Sequence, residues 1–368
     1  MLENWLAPVF VEKIMPQPAE NYTIGKQITI YADAMPALQD IKIALIGVGE
    51  SATNAVRRAF YQMSYPFAGL KIADLGNVRK AEIPFMIPLL KELLDSQILP
   101  IIIASEASFS LAQYKAFQSL QSHISYVTVD ERAHFSDTNR GADESFYLND
   151  VLFNTRARLY HFGVVGIQAH FTPASIFSFL DKNLFDAIRL GSARADMQEI
   201  EPIIRDADLL SFHLDAIRQT DAPAQKNPTP SGFFLEEACQ ICRYAGMSDK
   251  LRSFGLFGFQ QHLDQHEQTS QAIAQMIWYF LDGFYNRKND FPISTDELTE
   301  YIVDFKGLDY QLVFWKSQKS GRWWMQVPVK ISKKYQRHKL IPCSYNDYKL
   351  ACQDELPDRL LNAYRRFL

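Results

Sequence analysis

Two aspartates and two histidines carry the most specific chemistry this sequence offers. Asp130 closes the apolar run YVTVD, and His134 follows four residues later in VDERAH. His213 and Asp215 stand together in SFHLDAIRQTDAP. Their i, i+2 spacing puts both on one face of a strand. An Asp and a His from each of two strand ends supply two imidazoles and one or two carboxylates. That donor set suits a single transition-metal ion such as Zn, Fe, Ni or Mn. The competing reading needs no ion: the histidines simply hydrogen-bond the carboxylates. Spacing alone leaves both open. Arg132 lies inside the same cluster and brings a charge that is effectively permanent.

Other motifs read as structure rather than chemistry. Gly47, Gly49 and Ala52 form a G-x-G-x-x-A in GVGES-A, with Asp74 about 25 residues further on, near the distance of a ribose-binding acid. A tight strand-to-helix turn needs glycine whether or not a phosphate sits there. Cys239 and Cys242 form a C-x-x-C inside a helical pattern with no second pair at zinc spacing, which fits small buried side chains. KSQKSGRWWM (316–325) mixes cations with two tryptophans, as single-strand nucleic-acid binders do, but a hairpin with lysines at its turn explains it as well. Ser105 and Ser108 have no nucleophile-elbow frame.

The elements that must position the cluster alternate. Apolar runs at 41–47, 69–78, 99–105, 124–130, 158–169, 185–191, 206–217 and 250–259 read as strands, and the first, third and fourth are rich in β-branched residues. Helical patterns at 53–63, 85–96, 110–121, 175–183, 236–247 and 270–288 lie between or after them. This order predicts an α/β fold with a doubly wound parallel sheet, whose carboxyl edge gathers the polar strand ends. Residues 1–40 read as an N-terminal arm, 41–295 as the α/β domain, and 296–368 as a small α+β extension of hairpin and helix.

Composition sets the outer bounds. The 368 residues are 47% hydrophobic, enough for a large core. A net charge of −4 gives no basic field for nucleic acid. No run is long enough for a membrane span, and no secretory leader is expected. Four cysteines in so long a chain suit a reduced, cytoplasmic setting.

The same segments resemble the ureohydrolase superfamily of arginase, agmatinase and formimidoylglutamase, over about residues 41–290. DLGN (74–77) is similar to its D-L-G-D/N, IIIASEAS takes the place of its G-G-D-H-S strand end, VDERAH of its D-A-H-x-D, and SFHLDAIRQTDAP of its S-x-D-x-D-x-x-D-P. The stretches LNDVLF, EEACQICRYAGMSDKL and DGFYNRK, with SGRWWM, PCSYNDY and ELPDR beyond, resemble a formimidoylglutamase-like branch with its own C-terminal extension. The resemblance implies a three-layer α/β/α fold, two manganese ions at the carboxyl edge, and hydroxide attack on an amidine or guanidine carbon. It also implies self-association.

The departures shape the expectation. Against the family pattern, the first metal histidine falls on Ala107, the second on Arg132, and a substrate-orienting glutamate on Gly258. His134 and His213 replace acids, while Asp130 and Asp215 are kept. No two-manganese centre is therefore expected. Arg132 is expected to stand in for one lost ion and to pair with Asp215 or Asp130, leaving Asp130, His134 and His213, with Asp215 beside them, for one ion. The protein is expected to have lost ordinary binuclear hydrolysis and to act as a binding, regulatory or assembly protein. The alternative is a C–N hydrolase of linear amidines with a rebuilt one-metal site. Either reading expects a small amidine or amino-acid-like ligand, and neither expects nucleic acid or membrane.

Overall fold

The computed structural model describes residues 2–15, 20–121, 123–136, 145–153, 159–306, 311–327 and 338–366. Ten strands form the central sheet: β1 (Leu6–Ala7), β2 (Thr29–Ile30), β3 (Ile43–Val48), β4 (Ile72–Val78), β5 (Leu99–Ala104), β6 (Ile124–Val129), β7 (Leu159–Ile167), β8 (Asp186–Arg189), β9 (Leu209–His213) and β10 (Ser253–Phe257). Their order is β1-β4-β3-β5-β10-β9-β6-β7-β8, with β2 also on β4. Every pairing is parallel except β1 with β4. The sheet is thus mostly parallel, not wholly so.

Strands buried on both faces explain the continuous apolar runs. Ile43 and Leu45 point into one core, and Ala44, Ile46 and Val48 into the other. Helices Glu50–Tyr61, Leu235–Met247 and Gln268–Tyr285 cover the first face. Helices Ile83–Asp95, Ser110–Gln118 and Ala174–Lys182 cover the second. On Ile83–Asp95, Leu89, Leu90, Leu93 and Leu94 are buried, each contributing roughly 1.5–3 kcal/mol relative to exposure. Cys239 and Cys242 are among the buried residues of their helix, and burial pushes the Cys239 thiol up to about 12. They are core residues.

The predicted hairpin at the C-terminal end is part of a four-stranded antiparallel sheet: β11 (Leu298–Asp304), β12 (Gln311–Ser317), β13 (Trp323–Gln326) and β14 (Leu340–Cys343), paired in that order. The last residues of the predicted strand RWWMQVPVKI, 328–331, lie outside the described residues. Helices Tyr345–Cys352 and Asp358–Arg365 pack on this sheet through Ala351, Leu360 and Ala363. Trp324 is 1% exposed and sits under the Arg205 guanidinium at 4.4 Å. Arg205 also donates to the carbonyls of Trp323 and Cys343, at 3.1 and 3.3 Å, so it ties the second sheet to the α/β body. The tryptophans of KSQKSGRWWM are packed against protein.

Candidate metal centre

Four neighbouring strands, β5, β10, β9 and β6, end at one cavity of about 600 Å³. Ala107 follows β5, Gly258 follows β10, His213 closes β9, and the loop after β6 brings Arg132 and His134. Parallel strands all deliver their carboxyl ends to the same edge, which is why three separate sequence segments meet here.

Asp130, His134 and His213 each present a ligand atom, and the three atoms lie within 4.8 Å of one another. His134 Nε2 is 3.2 Å and His213 Nδ1 3.7 Å from the same oxygen, Asp130 Oδ2. That buried oxygen has no hydrogen-bond partner of good geometry among the described residues. The outer ring nitrogens are engaged. His134 Nδ1 faces the Ser145 carbonyl at 3.3 Å, and His213 Nε2 faces the Tyr147 hydroxyl at 3.1 Å. The Ser145 carbonyl can only accept, so His134 Nδ1 carries the proton and Nε2 keeps its lone pair. With Tyr147 accepting from His213 Nε2, the Nδ1 lone pair also turns inward. In that tautomer the carboxylate faces two lone pairs, a gap that a metal cation fills or that a proton on the His134 ring, which Asp130 favours, fills instead. The outer support is the kind metal-binding histidines use.

The charges agree in sign. Burial works against Asp130 ionising, but His213 and His134 hold its carboxyl below the usual range. Burial opposes the His134 proton, and Asp130 outweighs it and lifts the ring above its ordinary value. Burial pushes His213 down to about 4 despite Asp130.

Asp215 lines the cavity but stays outside the three-residue group. Its Oδ2 accepts from Asn227 Nδ2 at 3.1 Å. Burial and the Asp130 charge raise its pKa. The expected pairing of Arg132 with Asp130 or Asp215 is corrected by the structure. The guanidinium grips Glu131, with Nε 2.8 Å from Oε1, and its Cζ lies 4.8 Å from the Phe171 ring centre. Only its backbone N–H reaches Asp130, at 3.4 Å. Glu131 is fully buried, so the arginine charge goes first to the adjacent acid, whose carboxyl burial still pushes up to about 7. Sequence reasoning missed Tyr147 and Asn227, which reach the cluster from loops with no periodic signal.

The glycine turn has a packing cause. A Cβ on Gly47 would lie 2.2 Å from Asn77 Oδ1 and 2.4 Å from Thr53 Oγ1. Asp74, the candidate ribose acid, is fully buried and holds Arg57 with both oxygens, at 2.7 and 2.8 Å. It also accepts from Tyr61 and from the Gly76 N–H. No lone pair is left for a nucleotide, and the dinucleotide reading is set aside.

A family model described as the arginase family matches residues 49–282. The match spans more than half of the chain, which therefore belongs to that family. A search of curated proteins finds no match. Similar solved structures include formimidoylglutamase from Bacillus subtilis (18% identity, TM-score 0.62, covering 76% of this chain and all of that one). Formiminoglutamase from Trypanosoma cruzi, solved with manganese, aligns at 15% identity and TM-score 0.60, over 69% of this chain and 97% of that one. Arginase from Bacillus cereus aligns at 12% identity and TM-score 0.54, over 65% and 98%. At these identities the likeness shows the fold. Among the described residues no helix is long and apolar enough to cross a membrane.

Proposed function

We propose that this arginase-family protein holds one divalent transition-metal ion on Asp130, His134 and His213 and binds a small amidine or amino-acid-like ligand in the cavity above it. In this reading it does not run two-ion hydrolysis and serves a binding, regulatory or assembly role. The carrying observation is the donor count: three ligand atoms converge on one point, while Ala107 and Gly258 bring no donor to the same rim and Arg132 brings a cation. Missing donors, rather than the arginine charge, limit the site to one ion, because Glu131 takes up that charge. Self-association, as in the wider family, and a reducing cytoplasmic setting, which the four free cysteines suit, complete the proposal.

Metal analysis of protein purified without chelator tests this, with zinc, iron, nickel and manganese all counted. One ion or less per chain is expected, falling to near zero in His134→Ala and in His213→Ala. Two ions per chain together with turnover of arginine, agmatine or formimidoylglutamate would overturn it.

A second reading, a one-metal hydrolase of linear amidines, is favoured by the environment of Asp215. This carboxylate lines the cavity, its Oδ1 has no hydrogen-bond partner among the described residues, and its pKa is raised. It is the side chain placed to hold a proton beside a bound ligand. An ion on the Asp130 group would supply Lewis-acid activation of water or of the amidine. Turnover by the one-ion protein, lost in Asp215→Asn with the ion retained, would select this reading.

A further inference from the structure

A second polar cavity lies far from the centre just described, in the seam where the C-terminal sheet meets the α/β body. Its volume is about 350 Å³, within the range of small-ligand sites. Arg205 lines it from the short helix Glu201–Arg205, Arg322 from the turn before β13, and Trp323 and Tyr345 from the C-terminal sheet and its helix.

Two guanidiniums share one carboxylate here. Arg205 Nε donates to Glu201 Oε2 at 3.2 Å, while Glu201 Oε1, 2.9 Å from Arg205 Nε and 3.3 Å from Arg322 Nε, accepts no hydrogen bond of good geometry among the described residues. The rest of each arginine is only partly satisfied. Arg205 Nη2 donates to the Trp323 and Cys343 carbonyls, and Arg322 Nη1 to the Met247 carbonyl at 3.0 Å. Arg205 Nη1 and Arg322 Nη2 are buried with no hydrogen-bond partner among the described residues. The two side chains are 4% and 10% exposed. Arg243, also on the wall, is already held by Asp282 at 2.6 Å. Asp249 and Asp290 act on Arg322 from beyond the seam but do not line it. Asp249 accepts from the N–H groups of Asn289 and Asp290, and Asp290 from Ser317.

Buried guanidinium groups seek acceptors, and planar oxyanions match their geometry. We propose that this seam is a binding site for a small oxyanion, the phosphate or carboxylate group of a metabolite, held by Arg205 and Arg322 beside the Trp323 and Tyr345 rings. Nothing in this assignment depends on the metal centre.

The test is titration of the full-length protein, in chloride buffer, with inorganic phosphate and separately with succinate, read by tryptophan fluorescence and by thermal midpoint. Saturable binding of at least one probe is expected, and which one saturates names the head group. Arg322→Gln should weaken it about tenfold or more, the scale of one charge-assisted hydrogen bond. Tyr345→Glu, on an exposed side chain at a helix start where an acid is tolerated, should weaken it as well by repelling the anion. This variant decides the matter should Arg322→Gln fold poorly. Absence of saturation with both probes, or binding unchanged in Tyr345→Glu, would overturn the assignment.

Discussion

His213 shows how one side chain reports on its surroundings. Burial lowers it from 6.5 to about 4. As pH falls through that window, the unfolded chain takes up a proton there that the folded chain refuses. Stability is therefore complete above 6.5 and declines toward 4. The His134 ring, raised in the folded state, is protonated in both states lower in the window and adds little to the slope. Glu131, whose carboxyl burial raises to about 7, works in the opposite sense over the same window. The reading is therefore a difference: the urea midpoint of metal-free wild type relative to His213→Gln should fall from pH 7 to pH 4.5. The Arg57–Asp74 pair makes a different statement. Both side chains are 0% exposed, so Arg57→Ala leaves a buried carboxylate without its counter-charge. Loss of about 3–5 kcal/mol in equilibrium unfolding is expected. The convergence of Asp130, His134 and His213 was legible because each closes or follows an apolar strand. The true partner of Arg132 was not. Asp130 stands two residues and Glu131 one residue before Arg132, and only the fold shows that Glu131 is the acid within reach of the guanidinium.

At the scale of elements, the longer body strands and helices were readable because each fills an apolar run of one period, whereas the short helices Asn149–Leu152, Leu190–Ala195 and Glu201–Arg205 were not. β1 and β2 were not, since two residues carry no period at all. β14 was missed because Pro342 interrupts its run, and the sheet it completes is larger than a hairpin. The second sheet depends on its contact with the Glu201–Arg205 helix. Trp324→Ala removes a buried ring and the face on which Arg205 rests, at a cost of about 3–5 kcal/mol. Hydrogen exchange should then quicken in β13 and β14 well before it does in β3 and β5. Uniform quickening across both sheets would show that they unfold as one unit.

For the whole molecule, the fold and the metal question separate. The body is held by two cores on either side of the sheet, and neither passes through the Asp130 group. Stripping metal with a chelator should therefore lower the unfolding free energy by no more than the binding free energy of one ion, with far-ultraviolet circular dichroism unchanged. Collapse on chelation would mean that the ion is structural. The α/β architecture was legible from the alternation of elements, which few folds satisfy. The seam between body and C-terminal sheet was not, because its arginines are far apart in the chain and only tertiary packing joins them.

The position of β10 has a consequence for synthesis. It is the last strand of the body to leave the ribosome, yet it lies in the middle of the sheet, between β5 and β9. Until residue 257 has emerged, the native sheet cannot close, because β5 and β9 each lack the partner that pairs their facing edges. The cavity straddles the place that β10 fills, so no ligand could be captured cotranslationally before the wedge strand is driven home.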